Sequence, residues 1–129
     1  MVDAGAPRGV GLDLVEVDRV ATLIARWGDR FLDRVFTPAE LRLCRGQAHR
    51  LAGRLAAKEA VLKAMGIGLR LGNWRDIEVG RDSLGAPVVR LKGRLSEEAC
   101  RRGIDRFAVS ITHTRGLAMA IVLAMAEEG

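Results

Sequence analysis

Apolar residues recur along this chain with two different periods, and the alternation between them predicts its elements. Gly9-Val10-Gly11-Leu12-Asp13-Leu14-Val15-Glu16 is rich in Val and Leu between glycines, which predicts a strand over 9–16. Val17, Val20, Leu23, Ile24 and Trp27 then fall on one side of a helix over 17–27, with Gly28 as its stop. Thr37-Pro38 followed by Glu40 is a strong helix start: threonine as N-cap, proline in the first turn and glutamate at the third position. That helix runs to about Arg45, and a longer one runs from about Ala48 to Met65, ending at Gly66-Ile67-Gly68. Strands over 76–79 and 88–91 flank a turn around 82–87, a short helix covers 94–102, and strands over 106–112 and 117–126 meet at Thr114-Arg115-Gly116. This order, a strand, helices, then β-β-helix-β-β, is that of an α+β protein. With 129 residues and no repeat or linker, a single domain over 1–129 is expected, residues 1–8 being a flexible N-terminus.

Composition narrows the class. Nearly half the residues are apolar (49%) and 29% are charged, which describes a globular chain. Tyrosine is absent and aromatics are few, so Leu, Val, Ile, Ala and Met must build the core. Cys44 and Cys100 lack metal-ligand spacing and are expected to be reduced and structural. There is no apolar signal core at the N-terminus and no run long enough to cross a membrane, so a cytoplasmic protein without a membrane partner is expected. The net charge of +5, carried mostly by arginine, favours acidic partners. A nucleic-acid-binding module would suit that charge. However, the chain lacks the aromatic stacking residues and recognised motifs of such modules, and that reading leaves its acidic positions unexplained.

Those positions are Asp13 and Glu59. Glu59 and Lys63 stand four apart on the long helix and share a face, with Arg54 five residues before Glu59 and Lys58 beside it. Ala52, Ala56, Ala57, Ala60 and Ala64 make the helix thin, so that other backbone or a ligand can come close. Taken alone, Glu59–Lys63 would be a solvated ion pair worth about 0.3–0.5 kcal/mol. Asp13 alone could end a strand or cap a helix. A carboxylate embedded in an apolar run is costly unless it is paired or binds a metal. The two acids together therefore suggest a hard divalent cation, with nearby bases for phosphate.

Four blocks resemble the holo-acyl-carrier-protein synthases, the small bacterial type of 4′-phosphopantetheinyl transferase: Gly9–Glu16, Arg34-Val-Phe-Thr-Pro-Ala-Glu40, Leu51–Gly66 and Ser110-Ile-Thr-His-Thr114. Asp76–Val79 and Gly85-Ala-Pro87 fall between them where that family has similar segments. Leu55 departs from the pattern, standing where the family usually has an aromatic residue that packs rather than reacts. The resemblance implies a single copy of the phosphopantetheinyl-transferase fold, an antiparallel sheet packed against a long helix. It implies Mg2+-dependent transfer of 4′-phosphopantetheine from coenzyme A to a serine of an acidic apo acyl carrier protein, with 3′,5′-adenosine bisphosphate leaving, in the setting of fatty-acid or polyketide synthesis. Asp13 and Glu59 match the metal carboxylates and, with Lys63, the catalytic set. Arg50, Arg54, Lys63, Gly66, His113 and Thr114 match coenzyme A contacts, with Arg45 competing with Arg50. The acceptor of the serine proton is left open between Glu59, a metal-bound water and His113. Arg19, Arg26 and Arg30 would form the carrier-docking stripe. Larger relatives hold two copies of the fold with the site between them, so for this single copy the resemblance implies self-association, as a homotrimer with sites at subunit boundaries.

Overall fold

The computed structural model describes residues 7–68 and 73–126. Its elements are β1 (Pro7–Glu16), α1 (Val17–Trp27), α2 (Asp29–Val35), α3 (Pro38–Cys44), α4 (Ala48–Met65), a 3-10 turn (Trp74–Asp76), β2 (Ile77–Arg81), β3 (Pro87–Leu91), α5 (Gly93–Arg101), β4 (Ile104–His113) and β5 (Leu117–Ala126). A three-stranded antiparallel sheet of order β1-β5-β4 packs on α4, and β2 and β3 form a separate two-stranded ladder. This is the expected antiparallel sheet against a long helix. α4 is buried almost all round, from Leu51 to Met65, and Leu55 is among its core residues, as its packing role required.

Local chemistry explains the boundaries. The Thr37 N–H donates to Glu40 Oε1 at 2.8 Å and the Glu40 N–H donates to Thr37 Oγ1 at 3.2 Å, the reciprocal box that starts α3. α4 closes where Gly66 adopts φ +74° and the Ile67 N–H bonds back to the Leu62 carbonyl. Two expectations are corrected and one element is new. Pro7 and Arg8 belong to β1 rather than to a flexible tail; residues 1–6 lie outside the described ones. Residues 29–35 form a helix of their own, α2, because the chain turns at Gly28 (φ +53°) and resumes a 3.6 period with Phe31, Leu32 and Val35. Cys100 is exposed; only Cys44 packs in the core, and both thiols are free.

α4 crosses the sheet obliquely. Its first half packs on β4, where a Cβ placed on Gly53 would come 3.0 Å from Ile111. Its second half packs on β1 with almost no separation: a Cβ on Gly11 would meet the Ala60 carbonyl oxygen at 1.8 Å, and one on Gly9 would meet that of Ala64 at 2.0 Å. The alanine-rich helix thus serves for backbone approach, and the approaching strand is the one that carries Asp13.

That packing inverts the usual alternation of β1. Gly9, Gly11, Asp13 and Val15 face α4, while Val10, Leu12 and Leu14 face outward, 60%, 54% and 56% exposed. β5 does the same, with alanines and Val122 inward and Leu117, Met119 and Ile121 outward. Cross-strand register sets Leu12 beside Ile121 and Leu14 beside Met119. The outer sheet face therefore carries a contiguous apolar patch of the kind that marks an interaction surface.

Candidate active site

Strand alternation turns Asp13 toward α4, and helical spacing brings Glu59 and Lys63 to the same edge. Lys63 Nζ lies 2.8 Å from Asp13 Oδ1 and donates also to the Leu12 carbonyl at 3.2 Å. Lys63 thus bridges to Asp13, and the solvated Glu59–Lys63 pair is not what forms. Asp13 is only 11% exposed, and its second oxygen, Oδ2, is buried with no partner among the described residues. Glu59 is half-buried beside it. Desolvation, then the neighbouring Asp13 carboxylate, push its pKa up to about 7, against the opposing pull of Arg19 and Lys63. Asp13 in turn raises the Lys63 ammonium above its ordinary value. Two carboxylates, one with a free buried oxygen and the other resisting charge, are what a bound cation would relieve. Among the described residues no group of three or more His, Cys, Asp or Glu side chains gathers, so Asp13 and Glu59 stand here as a pair of carboxylates.

Of the expected nucleotide residues, Arg50, Arg54 and His113 gather elsewhere, while Lys63 stays with Asp13 and Gly66 does not join them. Arg50, Arg54 and His113 line a cavity of about 260 Å³ with Leu43, His49, Gly53, Arg81, Gly85, Pro87 and Ile111. The rings of His49 and His113 meet at 5.1 Å between centroids, tilted by 48°. Arg54 Nε is buried with no partner among the described residues, and the lining holds no carboxylate, so the cavity suits an anion. Arg45 is absent from it, which favours Arg50 as the cavity's second α4 arginine. Arg45 instead caps α3 in a left-handed conformation, φ +51°. Thr114 lies with His113 and Arg115 at the mouth of an adjoining hollow. Gly66 caps α4, next to the guanidinium of Arg102, which donates to the Met65 carbonyl at 2.9 Å. Arg81, Gly85, Pro87 and His49 were not singled out as site residues from sequence. The Gly85-Ala-Pro87 turn was noted only for its family likeness, and Arg81 precedes that turn as one arginine among many.

These two groups lie on opposite flanks of α4. At about 100° per residue, Glu59 is displaced from Arg54 by about 140° and from Arg50 by about 180° around the axis. Asp13, Glu59 and Lys63 sit over β1; Arg50, Arg54 and His113 sit by β4.

The basic residues also divide. Arg19 on α1 is close enough to Glu59 to lower its pKa. Arg26 and Arg30 flank the Trp27 ring, their guanidinium carbons 5.3 and 5.6 Å from its centre, and Arg30 belongs to α2. Between α1 and α2 an apolar notch of about 360 Å³ is lined by Leu23, Trp27, Phe31, Arg30 and Arg34. Lys58, beside Glu59 in sequence, points into the interior and is fully buried against Glu40. It is therefore no phosphate-facing base. Burial pulls its pKa down and the Glu40 carboxylate opposes that.

Residues 9–122 match the sequence profile described as the 4′-phosphopantetheinyl transferase superfamily. The chain belongs to that superfamily. A holo-[acyl-carrier-protein] synthase of Halothermothrix orenii is 42% identical over 125 residues, covering 95% of this chain and 98% of the relative. Among solved structures, holo-[acyl-carrier-protein] synthase of Neisseria meningitidis superposes with a TM-score of 0.84 at 35% identity, over 92% of this chain and 98% of that one. The Helicobacter pylori holo-[acyl-carrier-protein] synthase in complex with coenzyme A gives 0.82 at 30% identity, over 89% and 98%. Within the superfamily the chain is thus a phosphopantetheinyl transferase of the holo-[acyl-carrier-protein] synthase group, and the fold is that of the group.

Proposed function

We propose that this transferase moves 4′-phosphopantetheine from coenzyme A to a serine of an apo acyl carrier protein, in the cytoplasm, with Mg2+ held by Asp13 and Glu59. The observation that carries the metal assignment is Asp13 Oδ2, a buried carboxylate oxygen with no partner among the described residues, beside a second carboxylate whose ionisation burial resists. When bound, the cation neutralises the coenzyme A pyrophosphate. The chain's own residues do the rest. Lys63, held at 2.8 Å by Asp13, presents its ammonium at the same edge and stabilises the charge that develops on the phosphate. The carrier serine oxygen forms a bond to the β-phosphorus as the bond to the adenosine bisphosphate breaks. The serine proton leaves to an acceptor at the same edge. Arg50, Arg54, Arg81 and His113 hold the nucleotide phosphates in the cationic cavity, where the planar guanidinium of arginine suits bidentate contact.

The acidic carrier meets Arg19, Arg26 and Arg30 along α1 and α2, with the notch at Leu23, Trp27 and Phe31 receiving an apolar side chain. Self-association completes the reading. The apolar outer face of β1 and β5 needs cover, and in one copy α4 separates the acids from the nucleotide cavity. Both features support a homotrimer in which the acids of one copy face the cavity of the next. The test is direct: incubate the protein with coenzyme A, Mg2+ and apo carrier, and weigh the carrier. A gain of one phosphopantetheine is expected; an unchanged carrier mass overturns the reading.

A further inference from the structure

Lys58 and Glu59 are neighbours on α4 with opposite surroundings. Glu59 opens toward Asp13, whereas Lys58 is fully buried with its ammonium 2.8 Å from Glu40 Oε1, and Glu40 is fully buried too. The three protons of that ammonium meet three acceptors: Glu40, the Trp74 carbonyl at 2.9 Å and the Ile77 carbonyl. Glu40 is equally engaged, Oε1 accepting from the Thr37 N–H and Oε2 from the Val79 N–H, each at 2.8 Å. One pair thereby ties the start of α3, the middle of α4, the 3-10 turn and β2. No other ion pair among the described residues is buried on both sides.

Stability alone does not account for it. Replacing a buried ion pair by apolar side chains of like volume is often neutral or stabilising. What an apolar pair lacks is direction. Contact between Gly9, Gly11 and the α4 backbone sets how closely helix and strand approach, and the Lys58–Glu40 bonds add a directed tether on the far flank of the helix, about 200° round from Ala60. Glu59 reaches roughly 6 Å from the helix axis, so a rotation of about 20° moves its carboxylate by about 2 Å. A misplacement of about 1 Å can cost a reaction roughly a hundredfold.

We propose that Lys58 and Glu40 are positioning residues for the transfer step, fixing the rotation of α4 so that Glu59 meets Asp13. This rests on the role given to Glu59 above. The test pairs the double variant Glu40→Gln, Lys58→Met with Leu95→Ala, which opens the core at α5. Thermal melts, kcat, and KM for coenzyme A are measured for each. The double variant is expected to melt cooperatively and to lose kcat by at least about tenfold, with a smaller rise in KM for coenzyme A, because Arg50 and Arg54 ride on the same helix but reach the nucleotide through long side chains that can re-aim. Leu95→Ala is expected to lose stability yet hold kcat within about threefold of the parent. A folded double variant with kcat within about threefold of the parent overturns the proposal, as does an equal kcat loss in Leu95→Ala. If the double variant does not fold, Glu40→Gln alone carries the test: a kcat loss of at least about threefold that exceeds any rise in KM supports positioning, and normal kcat or failure to fold overturns it. Glu59→Gln, measured alongside, separates the two readings. If it keeps its turnover, the role of Glu59 fails. If it loses turnover while the pair variants do not, positioning alone fails.

Discussion

At the scale of single residues, one oxygen of Asp13 organises the expectations. A buried acceptor without a partner costs on the order of 1–3 kcal/mol, which a bound cation would recover. Mg2+ should therefore raise the melting temperature of the parent protein but not that of Asp13→Ala. Asp13→Ala and Glu59→Ala should each lower turnover by at least about a hundredfold with the fold intact. Turnover that persists in EDTA would remove the metal from the account. Lys63 and Arg54 separate by kinetics. Lys63→Ala should lower kcat more than it raises KM for coenzyme A, since its ammonium stands with the reacting acids. Arg54→Ala should weaken coenzyme A and affect dephospho-coenzyme A much less, since its guanidinium faces the anion cavity. Equal losses with both substrates would take the 3′-phosphate away from Arg54. The two thiols differ as well. Burial pushes the Cys44 pKa up and hides its sulfur, whereas Cys100 is exposed. Iodoacetamide near pH 8 should add one label to the native chain, at Cys100, and two after denaturation; two labels on the native chain would contradict the packing of Cys44.

At the scale of elements, the meeting of β1 and α4 decides where Asp13 sits. A Cβ on Gly11 would lie 1.8 Å from the Ala60 carbonyl oxygen, so Gly11→Ala must push the strand off the helix and carry Asp13, two residues on, with it. It should destabilise by about 1–3 kcal/mol and lower turnover, while Gly80→Ala, whose Cβ would enter open space, should change stability by less than about 0.5 kcal/mol. Urea melts and assays of the two variants check this, and a Gly11→Ala protein as active as the parent would show that the close approach is dispensable. The same junction shows what was legible beforehand. The ends of α4 were readable because Gly66 marks its stop, and α3 was readable because Thr37, Pro38 and Glu40 each serve the same helix start. The helix α2 was not readable: seven residues directly after Gly28 offer two turns of periodicity and no side-chain cap. The outward apolar face of β1 was hidden for a different reason. Apolar alternation says which residues share a side, but here glycine and aspartate are the ones that helix packing draws inward. Lys58 was hidden because adjacency to Glu59 does not reveal which flank of the helix faces the core.

At the scale of the whole molecule, the acids and the nucleotide cavity face apart. Lys63 with Asp13 and Glu59 sits over β1, and Arg50 with Arg54 and His113 sits by β4, the body of α4 between them. Under the proposed function a coenzyme A molecule that touches both sets bridges two copies, and Val10, Leu12, Leu14, Met119 and Ile121 supply an apolar face through which copies can associate. Light scattering should give a trimer mass, and Leu12→Lys should dissociate it by setting like charges on the buried face. The carrier arginines lie at the surface, where charges are screened within about 8–10 Å at physiological ionic strength. Carrier affinity should accordingly fall with salt, and replacing Arg19, Arg26 and Arg30 should affect the carrier more than coenzyme A. Mixed assemblies test the sharing itself. A chain with Asp13→Ala lacks the acid but keeps its cavity, and a chain with Arg54→Ala lacks the cavity contact but keeps its acids. If each site takes acids from one copy and cavity from the next, some boundaries in a mixture contain both intact halves. Activity then returns to a fraction set by the mixing ratio. If each copy carries its own complete site, every site in the mixture keeps one defect, and mixing recovers nothing beyond the average of the two inactive parents.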